Sequence, residues 1–192
     1  MDLGLAGRVG VVTGADGEVG AATARLLRAE GAEVVELPAV PGAAAGTLGT
    51  SPAPGDVERI LGTPAEPGAV DFLVTVAGAV PDDDLGRAHE LGVMAPLRAM
   101  RVVAPALAAR GSGRIVNVCP PAHTVAGAAA RSLSRLFADH YAKQGVLVNA
   151  LCPDPDAGPE ASAREIAFLC SARASHVAGA TWTVGAAAGA ID

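Results

Sequence analysis

Aromatic side chains are nearly missing from this chain: one Trp, one Tyr and three Phe make up 3% of 192 residues, although 51% of the sequence is hydrophobic. The core must therefore be built from Ala, Val, Leu and Ile, which suits helices packed closely on a parallel sheet. Lysine is rarer still, because Lys143 is the single Lys among 14 basic residues and the rest are Arg, a bias that reads as GC-rich bacterial coding rather than function. Positive charge is outweighed by 20 Asp and Glu, and the net charge of −6 gives no footprint for nucleic acid or an anionic membrane surface. Cysteine is limited to Cys119, Cys152 and Cys170. An odd number without CxxC spacing reads as buried free thiols, not as a disulfide framework or a zinc site. No apolar run reaches about 18 residues without a charge, and the first residues lack the basic and apolar regions of a signal peptide, so a soluble, cytoplasmic protein is expected.

What the chain does have is a glycine turn. The apolar run Val9 to Thr13 breaks into Gly14, Gly17 and Gly20 and then enters a helix rich in Ala, Leu and Arg. This reads as strand, tight turn and helix. Glycines there allow close backbone approach, and a helix N-terminus offers free N–H groups to a pyrophosphate. A βα turn without any ligand has the same appearance, and these residues alone leave both readings open.

Taken in order, the pattern alternates strand and helix to the end. A helix over 18–30 stops at Gly31, suited to the left-handed cap, and a strand follows over 32–37. A dinucleotide unit places an acid near the end of that strand. Glu36 serves only if the strand ends early. Residues 38–67 turn to Pro, Gly, Ala and Thr and look eroded. Residues 70–76 form an apolar strand, and Asp82, Asp83 and Asp84 supply caps for a long helix to Arg110, bent near Pro96 and Pro105. Strands over 113–118, 146–151 and 180–184 are separated by helices over 126–143 and from Ser162 to Arg173, the latter opened by Ser162 and Glu165 as a capping box. The expected architecture is one α/β domain over 1–192, a Rossmann-like doubly wound parallel sheet of about seven strands.

The order Thr13-Gly14, Val76-Ala77-Gly78, Gly113 to Val118, Val148-Asn149-Ala150 with Pro153, and Phe168 to Ser171 through Gly179 resembles the short-chain dehydrogenase/reductase family. The resemblance spans nearly the whole chain except residues 38–67, and the chain is shortened around 119–127 and 152–160. The family's chemistry implies a Tyr with a Lys four residues on, so that an ammonium depresses the phenol pKa. Here Gly145 stands four residues after Tyr141, and Asp139 four before Lys143, so the pair does not exist. Alignment on the flanking motifs puts His123 at the Tyr position, Gly127 at the Lys, Pro120 at the Ser and Gly92 at the Asn of the long helix. All four catalytic roles are empty.

The resemblance also implies thinned cofactor contacts. Thr13, Gly14, Gly17, Gly20, Ala77 and Gly78 remain; the polar pair before Ala77 has become Thr75-Val76, and Gly49 replaces the acid after the third strand. Glu18, if it faced a phosphate, would repel it by about 4 kcal/mol at ~4 Å near a surface. The expectation is no bound cofactor, with NAD or NADP as the alternative. Cys119, His123, Cys152, Asp154 and Asp156 all follow adjacent strands and converge at one sheet edge, the basis of a repurposed, non-redox site with Cys119, His123 and Asp154 as its reactive groups.

The parts that keep length and apolar faces, 84–110 and 126–143, are those that pair subunits in the family. The leading reading is a catalytically silent subunit assembled with an active relative, plausibly a hydroxyacyl-thioester dehydrogenase or ketoreductase, and otherwise a homodimer. A non-redox enzyme and an NAD(P)-sensing binding protein are the alternatives.

Overall fold

The computed structural model describes residues 2–38, 70–77 and 84–185. The expected erosion over 38–67, Gly49, Gly78, Asp82 and Asp83 therefore lie, apart from Pro38, outside the described residues. Six strands are formed: β1 (Val9–Thr13), β2 (Glu33–Leu37), β3 (Phe72–Val76), β4 (Gly113–Val118), β5 (Val146–Pro153) and β6 (Thr181–Val184). They make one parallel sheet in the order β2-β1-β3-β4-β5-β6. The expected count of about seven is thus six among the described residues. The strand order reverses between β1 and β3, the position where open sheets of this kind leave a crevice at their carboxyl ends.

Alternation along the strands feeds two cores. Phe72, Val74, Val116 and Val118 meet Leu27 of α1 (Glu18–Ala29) and Ile166 and Leu169 of α4 (Pro159–Cys170) on one face. Leu73, Ile115 and Val148 meet Met100, Val103 and Leu107 of α2 (Leu85–Ala109) and Phe137 of α3 (Val125–Tyr141) on the other. Because both faces are covered, β3 is buried along its whole length, which explains a continuous apolar run where an exposed sheet would alternate. The helix α2 has the length and mean hydropathy, 1.3, of a membrane span, but half of that stretch is buried against the sheet as a core helix.

Helix ends follow local chemistry. Gly31, with φ +87°, ends α1 one residue past its cap. Asp84 caps α2 by accepting from Arg87 N at 2.8 Å. That helix contains a π turn at Glu90–Met94, ahead of Pro96, and Pro105 lies inside it, so the expected bend has a wider turn as well as prolines. The capping box at Ser162 is not used. Helix α4 begins earlier, at Pro159, with Gly158 as its cap, and the Ser162 hydroxyl instead bonds back to the Gly158 carbonyl at 3.4 Å. Proline at the first helical position is already set for helix and needs no donor, which moves the start one turn upstream.

Candidate functional site

The carboxyl ends of β1 and β3 carry the nucleotide half of the site. Thr13 ends β1, and Gly14 follows with φ +74°, so close to β3 that a Cβ there would lie 2.3 Å from the Val76 carbonyl oxygen. A Cβ on Gly20 would lie 2.1 Å from the Gly14 carbonyl oxygen, so the first turn of α1 is held against the loop. The turn closes by Gly17 N donating to Gly14 O at 3.1 Å, and Ala15 N donating to Leu37 O at 3.0 Å ties it to β2. Gly17 caps α1 without a side chain, so the N-terminal dipole is not covered by a capping oxygen. Glu18 is exposed in the first helical turn, where a carboxylate suits the dipole. Strand β2 runs through Leu37, and Glu36 inside it is paired with Arg28, whose Nη2 also donates to Val34 O at 2.8 Å. Ala77 N donates to Val118 O at 3.2 Å, linking the end of β3 to β4.

The other half lies beyond β4 and at the start of α3. Gly92, in the π turn of α2, is buried, and a Cβ on it would lie 2.6 Å from Pro120 Cγ and 3.3 Å from Ala126 Cβ. A Cβ on Gly127 would lie 2.2 Å from the Pro121 carbonyl oxygen and 2.8 Å from that of Pro120. Contacts under about 3 Å require the neighbour to shift, and at Gly127 the neighbour is backbone. Thr124 fixes that backbone from both sides: its Oγ1 accepts from Gly127 N at 3.0 Å and donates to Pro121 O at 2.8 Å. His123 is exposed in the loop between them. Three of the four positions at which the family resemblance puts catalytic side chains are thus packed against one another.

The proposed reactive set does not assemble. Cys119 is buried, its Sγ donating to Asn117 O at 3.5 Å, and it packs in one small cluster with Cys152. Asp154 Oδ1 accepts from Asp156 N at 3.0 Å and caps a short 3-10 turn. Neither group bonds His123, and among the described residues no three metal-ligating side chains cluster. Two features escaped the sequence reading. Thr75 Oγ1 donates to Asn117 Oδ1 at 2.8 Å, and Asn117 Nδ2 donates to Ser134 Oγ at 2.9 Å and Ala130 O at 3.2 Å, a buried network joining β3, β4 and α3. Its only signal in the sequence is the polar residues Thr75 and Asn117 among the apolar residues near the ends of β3 and β4. The second is the pairing of Cys119 with Cys152 beside Arg131: the Cys119 thiol first, and then the Arg131 cation, hold the Cys152 thiol below its ordinary value, while Cys152 and burial push Cys119 up.

The sequence pattern of the short chain dehydrogenase family matches residues 55–159, more than half of the chain. A cis-4-hydroxycyclohexanecarboxylate dehydrogenase of Sinomonas cyclohexanicum is 33% identical over 96% of this chain and 97% of its own. The chain belongs to the short-chain dehydrogenase/reductase family. That relative aligns over 245 positions against 192 residues here, so it carries segments opposite gaps in this chain. The (2S)-[(R)-hydroxy(phenyl)methyl]succinyl-CoA dehydrogenase subunit BbsC of Thauera aromatica is 36% identical over 44% of this chain and 40% of its own. Among solved structures of the same fold, L-sorbose reductase from Gluconobacter frateurii, complexed with NADPH and L-sorbose, superposes with a TM-score of 0.78 at 23% identity, covering 96% of this chain and 97% of that one.

Membership corrects the expectation that no cofactor is used: the family's relatives are NAD(P) enzymes, and a structure of this fold contains NADPH. The physical reason is that a pyrophosphate subsite is made of backbone N–H groups and glycine clearance. The side-chain losses at positions 49 and 75 that motivated the expectation do not remove either. Gly14 and Gly20 let the turn pack against Val76 and close on itself, and Gly17 leaves the start of α1 without a capping side chain, so the residues present in this short-chain dehydrogenase/reductase fit the group.

Proposed function

We propose that this chain is a nucleotide-binding but hydride-silent member of its family, a single-domain cytoplasmic subunit that assembles with an active relative as a structural or regulatory partner. The packing of Gly92 on Pro120 and of Gly127 on the Pro120 and Pro121 carbonyls is the observation that carries the reading. Side chains of catalytic size have no room at 92 and 127, and Pro120 carries no hydroxyl. NAD or NADP would be held by the backbone around Gly14, Gly17 and Gly20 with Thr13 and Ala77 beside it; when bound, such a cofactor supplies a hydride acceptor or donor. This chain offers no Tyr-Lys pair to move the accompanying proton.

Assembly is supported by what stays exposed. Leu85, Val125 and Leu136 are 72%, 80% and 66% exposed, all on α2 and α3. The partial likeness to a relative named as a (2S)-[(R)-hydroxy(phenyl)methyl]succinyl-CoA dehydrogenase subunit favours an active partner of hydroxyacyl-thioester chemistry. Co-expression with tagged Tyr-Lys-bearing relatives, followed by size-exclusion chromatography, tests the reading. A stoichiometric complex with one of them is expected; a stable homomer that ignores them all would count against it.

A further inference from the structure

Cys119 directly follows β4, and Cys152 is the penultimate residue of β5. The strands pair in register through Val118 and Leu151, and Cys119 N continues the ladder by donating to Leu151 O at 2.8 Å. One step further along the ladder the two cysteines stand opposite each other, on one face, in a small buried cluster with Ala130 and Ala150. Adjacent strands lie about 4.8 Å apart, within the ~4.4–6.8 Å Cα separation a disulfide spans. Arg131, near the start of α3, has its Nη1 donating to Ala122 O at 3.0 Å, and its charge favours the thiolate of Cys152.

We propose that Cys119 and Cys152 are a peroxide-responsive dithiol that closes to an intramolecular disulfide across β4 and β5. The cysteines are 3% and 2% exposed, which favours a water-sized oxidant over a bulky thiol disulfide. The Cys152 thiolate, stabilised by Arg131 and the Cys119 S–H, attacks one oxygen of hydrogen peroxide. The O–O bond breaks, hydroxide leaves and takes up a proton as water, and Cys152 becomes a sulfenic acid. The Cys119 sulfur then attacks the Cys152 sulfur, the S–O bond breaks, and the Cys119 proton leaves with the hydroxyl as a second water. The dithiol has lost two electrons and the peroxide has gained them. Cys119 precedes Pro120, so the bond ties down the loop that covers Gly92 and Gly127. Cys170 is the internal control, since burial pushes its thiol up to about 12 against the opposing charge of Arg114, and among the described residues no second thiol pairs with it.

The wild-type chain, fully reduced and then exposed to hydrogen peroxide, should lose the mass of two hydrogen atoms and fall from three free thiols to one. A non-reducing peptide map should join Cys119 to Cys152, and dithiothreitol should reverse the change. In Cys119→Ser the reaction should stop at a sulfenic acid on Cys152 that dimedone traps, and Arg131→Gln should slow oxidation roughly tenfold. A wild-type chain that keeps three thiols, that oxidises Cys170 as fast as Cys152, or that forms only intermolecular disulfides would overturn the proposal without bearing on hydride transfer or assembly.

Discussion

A Cβ placed on Gly127 would lie 2.2 Å from the carbonyl oxygen of Pro121, a backbone atom that Thr124 holds by a 2.8 Å hydrogen bond. Restoring the family side chain at this position therefore breaks the start of α3 before it can make a site. Gly127→Ala should cost about 1–3 kcal/mol by overpacking, and Gly127→Lys with His123→Tyr should lower Tm further and yield no turnover. Thermal unfolding beside an NAD(P)H assay checks both; a stable double variant with activity would show that the loop yields.

The Thr124 cap makes a smaller, separable contribution. Thr124→Ala removes the acceptor for Gly127 N and should cost about 1 kcal/mol. Thr124→Ser, which keeps the oxygen, should recover most of it in urea denaturation.

Asn117 ties together three elements with no exposed atom of its own. Asn117→Ala leaves the Thr75 hydroxyl without its acceptor, while the Ser134 hydroxyl still donates to Ala130 O at 2.9 Å, and should destabilise by about 1–3 kcal/mol, the cost of one buried group left unpaired. Adding Thr75→Val to that variant should return part of the loss, because the stranded hydroxyl goes with it. Equal losses in the single and double variants would refute the network as a unit.

Gly20→Ala separates nucleotide binding from assembly. Its Cβ meets the Gly14 carbonyl at 2.1 Å, so the turn must open. Calorimetry with NADPH and NADH should find binding in the parent chain and at least a roughly tenfold weaker affinity in the variant, while partner co-elution survives.

The thiol pair gives stability a pH dependence with a definite sign. Cys152 sits at about 6, below its ordinary 9.0, because of its hydrogen bond to Cys119 and its contacts with Arg131. Its contribution is therefore complete above pH 9, fades as pH falls, and is gone below about 6. Cys119 and Cys170 are raised, so they subtract stability above 9. Urea midpoints from pH 5 to 9 (~5 to ~9) should rise in the reduced parent and flatten in Cys152→Ser; parallel curves would contradict the assignment.

Much of the fold was legible because its signals are local. The strand at 113–118 and the end of the first helix before Gly31 coincide with their residue patterns, since alternation, a left-handed glycine and a cap act over a few residues. The start of α4 was misplaced because Pro159 outcompetes a capping box one turn later, and the π turn at Glu90–Met94 leaves no periodic mark in so short a stretch. The residues that stand where the resemblance puts catalytic side chains are legible in the chain. That the gaps are closed is not, because it depends on how Pro120 and Pro121 lie across α3. The no-cofactor expectation failed for a related reason: it counted side chains, whereas the glycine turn works through backbone.

The most direct test of a hydride-silent chain is absorbance at 340 nm (~340, the nicotinamide band) with the pure, reduced protein, NAD(H) or NADP(H), and a panel of hydroxyacyl thioesters, ketones and secondary alcohols. The account predicts bound nucleotide with no oxidation or reduction above buffer. Turnover approaching the ~10 per second typical of enzymes, lost on Gly20→Ala, would contradict it.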